Sequence, residues 1–440
     1  MNRRDFMKQS AVFGTAAGIA PNTLGRSYGA NDRITMGVVG SGARAQQLMG
    51  AVQEIPGLEI VAVCDAYKGR AKRAQARTGG RAKIYEHYKE ILGNSEIDTV
   101  IIATPDHWHK QMALEALAAG KDVYIEKPMT YTTEEGLEII RAVKKQGQIL
   151  QVGSQGMSSR TEQMARKMIK EGRLGQVTFV RASFNRNTAG GAWIYPIPPD
   201  ASRDNVNWEA FLGPAPKRPF SLERFFRWRC YWDYSGGIAT DLFVHLVTST
   251  HYMMDAKMPE RVMASGELYR WKDSREVPDT LNAILVYPEG FTANLSSTFN
   301  NQSAAESGFE ILGTEGSIAF RGGQLQFNRE NVYEDNRWIV ESWEEQLEES
   351  YYKDPKNRKL EMPSTLVPNM KQAGEVWEEW GMESTYTHMV DFLEAVRTRK
   401  TPAEDASTGH HAAACAHMVN KSVKEKSSVE WDFSRDTIKT

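Results

Sequence analysis

Residues 33–45 read RITMGVVGSGARA, and this stretch decides the fold. Residues 33–39 form a short β-branched run. Gly40-Ser41-Gly42-Ala43-Arg44-Ala45 follows, then a helical stretch from about Gln46 to Val52. This is GxGxxA between a strand and a helix. The first glycine permits a tight turn, and the second lets the backbone approach a pyrophosphate. The small third residue allows close helix–strand packing. The diphosphate would rest on the helix N-terminus, where unpaired N–H groups and the dipole favour anions. Glycine-rich turns are common, so the motif needs support from its surroundings.

The next strand supplies it. Residues 58–65, LEIVAVCD, end in an acid 23 positions after Gly42. That spacing suits a carboxylate binding the adenosine ribose hydroxyls. A carboxylate there repels a 2′-phosphate, which favours NAD; Lys68 and Arg70 nearby keep NADP open. Further strands follow at 98–105 (DTVIIATP), 122–128 (DVYIEKP) and 149–154 (ILQVGS), with helical stretches between them. Strands alternating with helices predict a parallel sheet with right-handed crossovers. Ligands bind beyond the strand C-termini of such sheets. Thr104, Pro105, Asp106, His107, His109, Glu126, Lys127, Pro128 and Gln155 all lie at or just past such ends.

Beyond residue 156 the pattern changes. Residues 177–185, 261–269, 280–288 and 291–299 alternate like half-buried strands, and 309–320 reads as two strands around a glycine turn. An open, mostly antiparallel sheet with helices on one face is expected. Residues 328–384 are polar and read as an insertion, part loop and part helix. The expected organisation is therefore α/β: a dinucleotide-binding domain over 31–155 and an α+β domain over 156–440. Residues 385–425 read as largely helical.

The composition agrees. A chain of 440 residues exceeds one ordinary core, which stops growing near about 250–300 residues. The 54 basic and 56 acidic residues leave a net charge of −2, so nothing electrostatic favours nucleic acid. Cys64, Cys230 and Cys415 share no close spacing, which excludes CxxC redox and zinc-ribbon readings.

Residues 1–30 read as an export address. Arg3-Arg4, Phe6 and Lys8 precede a short apolar run of small residues, as in a twin-arginine signal. Its loss removes Arg3, Arg4, Lys8, Arg26 and Asp5, taking the charge from −2 to −5. The expected partner is the twin-arginine machinery and the expected location the periplasm, with an N-terminal membrane anchor if the segment is uncleaved. That route carries folded proteins, so the signal itself suggests a cofactor inserted before export.

Residues 103–130, ATPDHWHKQMALEALAAGKDVYIEKPMT, resemble the signature region of the Gfo/Idh/MocA oxidoreductases. The resemblance implies a Rossmann domain, an NAD(P) cofactor, a substrate and oligomerisation role for 156–440 with the open sheet as an oligomer interface, helices over 385–425 that pack back on the Rossmann domain, and a dimer or tetramer. It makes Gly40, Ser41, Gly42, Ala43, Arg44, Asp65, Thr104, Pro105, His109, Glu126 and Lys127 the cofactor-binding set.

Residues 231–246, YWDYSGGIATDLFVHL, match the family's GG-x-x-x-D-x-x-x-H element. By resemblance, Lys127, Asp241 and His245 form the catalytic set. An imidazole suits proton transfer near neutral pH, and a lysine can stabilise developing alkoxide charge. Which of the two takes the proton stays open. Asp241 would bind a neighbouring hydroxyl or orient the site. Gln155, Arg229, Trp232, Tyr234 and Asp241 are the substrate-binding candidates, since aromatic faces and polar groups suit a sugar ring, although a core role for the aromatics is equally compatible. His107 and His109 have no third partner for a metal, so none is expected. His410, His411 and His417 read as surface or packing residues.

Two activities fit this set. One moves a hydride between nicotinamide and a secondary hydroxyl of a sugar, inositol or sugar derivative. The other is an NAD-dependent glycoside hydrolase or lyase working by transient oxidation and elimination. Lys127 leans to the first. Export leans towards a tightly bound cofactor recycled in place.

Overall fold

The computed structural model describes residues 33–301, 308–321, 323–330, 336–360, 374–378 and 383–439. The export address expected at 1–30 and part of the 328–384 insertion lie outside them.

Six parallel strands form the first sheet, in the order β3-β2-β1-β4-β5-β6. They are β1 (Ile34–Val39), β2 (Leu58–Cys64), β3 (Lys83–Tyr85), β4 (Thr99–Ile102), β5 (Asp122–Ile125) and β6 (Leu150–Val152). This is the doubly wound dinucleotide-binding order, whose strand order reverses between β1 and β4. Every residue of β4 and β5 is buried, as expected of parallel strands covered on both faces. β3 has only three residues and carries no period that the sequence could reveal.

The helix Ala43–Gln53 packs on one face. It shares that core with Met389, Phe392 and Leu393 of the helix Ser384–Thr398, so the chain returns to the first sheet near its C-terminus. On the other face, the helix Thr133–Gln146 is capped by Glu135, which accepts the Tyr131 and Thr132 N–H groups at 2.8 and 3.2 Å. The helix Ala406–Glu425 lies against it at close range. A Cβ on Gly136 would sit 2.0 Å from Nδ1 of the buried His410, and one on Gly409 would sit 2.4 Å from Val152.

The second sheet has ten strands, ordered β14-β13-β12-β11-β7-β10-β9-β8-β15-β16. They are β7 (Val177–Ser183), β8 (Arg261–Glu267), β9 (Thr280–Val286), β10 (Thr292–Thr298), β11 (Phe309–Gly313), β12 (Gly316–Arg321), β13 (Gln324–Arg329), β14 (Glu375–Glu378), β15 (Val429–Asp432) and β16 (Thr437–Ile438). All pairs are antiparallel except β7 with β10. Burial alternates strictly along β10, which marks a sheet with one covered face. The insertion is more than loop and helix: Glu375–Glu378 pairs with β13 and extends the sheet edge. Its charged sequence hides it from a pattern of alternating apolar residues.

Helix propensity alone favours Gly136→Ala by about 1 kcal/mol. Here the added methyl meets a buried ring, and overpacking of this kind costs about 1–3 kcal/mol. Urea unfolding should therefore show Gly136→Ala destabilised. A variant stabilised by its propensity would show that the helix pair tolerates separation.

Candidate active site

The Gly40–Ala43 turn is built for a phosphate. Gly40 has φ +81°, and a Cβ there would lie 2.8 Å from the Ala103 carbonyl group. A Cβ on Gly42 would meet nothing closer than 3.9 Å, so the space above this turn is open. Gly42 caps the helix Ala43–Gln53 with no side-chain acceptor, and no acidic residue occupies the first turn. Its leading N–H groups are left for an anion. Among the described residues, Thr104 Oγ1 and Arg44 Nη2 are buried without a hydrogen-bond partner, and both residues line the adjoining cleft. These features fit a dinucleotide, which would supply a hydride-accepting nicotinamide when bound. Gly40, Gly42, Ala43, Arg44, Asp65, Thr104, Pro105, Glu126 and Lys127 all border this single cleft of about 540 Å³.

Asp65 closes the far end. Its carboxylate accepts the Ser41 and Tyr67 backbone N–H groups at 2.7 and 2.8 Å. Burial nevertheless raises its pKa, against the Arg70 charge and those two bonds. Ser41 is itself buried and pins the turn to Asp65 instead of facing the cleft. At the near end, Arg44 Nε donates to Glu126 Oε1 at 2.8 Å, linking the glycine turn to the EKP strand end.

The catalytic candidates converge across the domain boundary. Lys127 Nζ donates to the Asp241 backbone oxygen at 2.8 Å and to its Oδ1 at 3.1 Å. Arg229 Nε donates to the same Oδ1 at 2.8 Å, while its guanidinium lies 4.2 Å from the Trp228 ring. Despite its burial, Asp241 is held ionised far below the usual carboxylate range by Lys127 and Arg229. Lys127 and Arg229 line the cleft; Asp241 backs them. Asp241 thus spends this oxygen on positioning two cations. The helix carrying Asp241 opens at Gly236-Gly237, where Gly237 has φ +64°, and Ala239–Phe243 forms a π-helical turn. Such turns concentrate at functional sites, and four-residue spacing alone could not reveal this one. His245 follows in Val244–Met254. Burial, with the Lys127 charge behind it, lowers His245 to about 3, so the imidazole is neutral near pH 7.

Several expectations are corrected. Tyr234 is fully buried, its ring 4.9 Å from Phe211 and 5.2 Å from His107, and belongs to the core. Trp232 faces a different hollow, with Lys424 over its ring at 4.2 Å. Gln155 spends its amide on the Tyr124 hydroxyl at 2.8 Å and stays off the cleft wall. His109 is buried with its ring nitrogens 2.6 Å from the Pro128 oxygen and 3.0 Å from the Thr104 oxygen; it ties the two strand-end loops together and touches no open space. His107 instead turns Nε2 to the Phe211 oxygen at 2.9 Å, away from any shared metal position.

Asp106 emerges as a further site residue. It is 3% exposed, borders the cleft and accepts the Thr240 hydroxyl at 3.4 Å. Burial pushes its carboxyl up to about 7; Arg229 and Lys127 oppose the shift and Asp241 adds to it. The only sequence signal was its place after a strand end.

The fold and site define a nicotinamide-dependent oxidoreductase. The chain belongs to the Gfo/Idh/MocA oxidoreductase family: residues 34–154 match its NAD-binding Rossmann fold and residues 166–431 its C-terminal alpha/beta domain. Among curated relatives, 1,5-anhydro-D-fructose reductase of Ensifer adhaerens is 25% identical over 66% of this chain and 76% of that protein. The NAD(+)-dependent scyllo-inositol 2-dehydrogenase of Bacillus subtilis is 26% identical over 61% and 67%. A glycosyl hydrolase family 109 protein of Solibacter usitatus is 27% identical, but over only 42% of this chain and 46% of that protein. A levoglucosan dehydrogenase structure with NADH and levoglucosan shares the fold, with a TM-score of 0.65 and 20% identity over 90% of this chain and 99% of that one.

Asp106 also yields a pH prediction. Unfolded, an aspartate ionises near about 4; folded, this one keeps its proton to about 7. Between those values the folded chain holds a proton that the unfolded chain has lost, so this group makes stability fall as pH rises. Glu404, raised to about 8 by burial, acts in the same direction in wild type and variant alike. Denaturation midpoints from pH 5 to 7 should therefore decline less in Asp106→Asn. An identical slope would mean that the carboxyl is already ionised in the folded state.

Proposed function

We propose that this protein transfers hydride between NAD and a secondary hydroxyl of a sugar, inositol or sugar derivative. The observation carrying this reading is the Lys127–Asp241–Arg229 cluster at the mouth of a dinucleotide cleft. Two of the three ammonium protons of Lys127 are committed to Asp241, so the ammonium is fixed in direction. Its remaining donor can hydrogen-bond the reacting oxygen as alkoxide charge develops. His245, one turn along, is neutral and so free to receive the proton, although burial and the Lys127 charge oppose the imidazolium that results, and Arg229 can bind a neighbouring hydroxyl. The carbohydrate-named relatives support the substrate class.

Asp65 supports NAD over NADP as the cofactor. The twin-arginine pattern of residues 1–30 supports export to the periplasm, with membrane anchoring if the segment is retained. An exported protein meets no ready pool of free nicotinamide, so the cofactor would stay bound and be recycled by paired oxidation and reduction. The open face of the second sheet supports a homo-oligomer, a dimer or tetramer. Redox-neutral glycoside cleavage is the second reading. It is favoured by the partial likeness to family 109 hydrolases, with Lys127 weighing against it.

Free sugars and inositols should change absorbance at 340 nm, whereas aglycone release from nitrophenyl glycosides without net NADH would favour the second reading. Lys127→Met should lower kcat by about 10²-fold or more, the usual cost of a lost oxyanion donor, with dinucleotide still bound. Unchanged kcat would remove Lys127 from the chemistry.

A further inference from the structure

Between β7 and the Gly236-Gly237 turn the chain makes a long excursion whose only helices are short, including Trp208–Leu212 and Leu222–Phe226. Both ends are fastened in the second domain. Trp193, buried with φ 65°, packs 4.9 Å from Phe299 beneath the Arg275 guanidinium. At the other end Arg224 pairs with Glu276 at 2.6 Å, and the Cys230 oxygen accepts the Glu276 N–H at 2.8 Å. Residues 196–219 contain six of the chain's 17 prolines, which stiffen the span between these anchors.

The middle of this excursion lies on the first domain. Lys68 N donates to the Asn205 oxygen at 2.9 Å, and Asn207 N donates to the Ala66 oxygen at 2.7 Å, around an antiparallel bridge of Tyr67 with Val206. The Tyr67 hydroxyl donates to Asp200 at 2.6 Å. These contacts sit directly after Asp65. On the other side of the cleft, the Phe211 oxygen accepts Trp108 Nε1 at 2.9 Å. Between the two attachments, Phe225 and Phe226 border the cleft with Arg70 at 5.5 and 5.0 Å from their rings.

We propose that the excursion is a strap that clamps the dinucleotide in its cleft, with Arg70, Phe225 and Phe226 forming the seat for the adenosine end. The strap crosses the cleft from Asp65 to Trp108 and is tied down on both sides. A dinucleotide beneath it leaves only when the Tyr67–Val206 bridge opens. Phe225 and Phe226 are 2% and 4% exposed with the Arg70 guanidinium over both rings, so the face offered to a base is that of Arg70, held on the two rings beside the ribose-binding acid. The clamp rests on the reading above that NAD is the bound cofactor and gives its retention a physical cause.

The test reads cofactor release directly. Full-length protein is saturated with NAD, gel-filtered and diluted into a dehydrogenase trap that consumes released NAD. Acid-extracted nicotinamide is quantified over time for wild type, Phe226→Ala and the milder Tyr67→Phe, with circular dichroism to establish folding. Wild type should retain close to one dinucleotide per chain. Phe226→Ala should release it about tenfold faster or more, because Arg70 loses the ring it rests on, and Tyr67→Phe several-fold faster, the loss of one hydrogen bond. Rapid wild-type release, or unchanged release from a folded Tyr67→Phe, overturns the clamp. Retention without hydride transfer to any sugar removes the proposed reaction but leaves the clamp standing; sugar turnover with freely exchanging NAD does the reverse.

Discussion

One carboxylate oxygen of Asp241 receives both Lys127 and Arg229, and the active site depends on that three-way contact. Lys127 comes from the first sheet and the other two from the second domain, so the ion cluster is also the joint between them. Removing charges from water is costly unless each finds partners in good geometry. The cluster meets that demand, because Asp241 offers its backbone oxygen as well as its carboxylate. With Asp106 protonated, two cations face one anion. The site therefore carries one surplus positive charge before any substrate arrives. An alkoxide forming beside Lys127 would meet this charge without rearrangement of the protein. Ionisation of Asp106 would cancel it.

The local backbone is shaped to permit this arrangement. Gly237 takes a positive φ, and the π-helical turn carries Thr240 and Asp241. Asp106 accepts from Thr240 and Lys127 donates to Asp241, so loops of the nucleotide domain grip two successive residues of this turn. The same loops are tied together by His109. The strap adds a second joint across the cleft and itself carries Arg229 of the ion cluster.

The dinucleotide fold was legible because its determinants are local. GSGARA, the acid that follows β2 and the mostly apolar runs of β4 and β5 each declare themselves within a few residues. The meeting of Lys127 with Asp241 was legible only through family likeness, since nothing in either segment points to the other. The strap was not legible at all. Tyr67 and Asp200 lie 133 positions apart, and a proline-rich loop has no period to announce what it covers. The aromatic residues show the same limit. Trp228, Trp232 and Tyr234 are near neighbours in sequence, yet one borders the cleft, one faces another hollow and one is core. Composition could place rings near the site but not choose which ring faces it.

A sugar carbon should deliver hydride to a dinucleotide bound in the cleft that Lys127 borders. Isotope transfer tests it most directly. Purified protein carrying NAD is exposed to sugars and inositols deuterated at their ring carbons, and the extracted nicotinamide is examined by mass spectrometry. The account predicts one deuterium on the nicotinamide ring with at least one substrate, and none in Lys127→Met on the same timescale. A nicotinamide that acquires no label from any of them, in protein shown to hold it, would contradict the account.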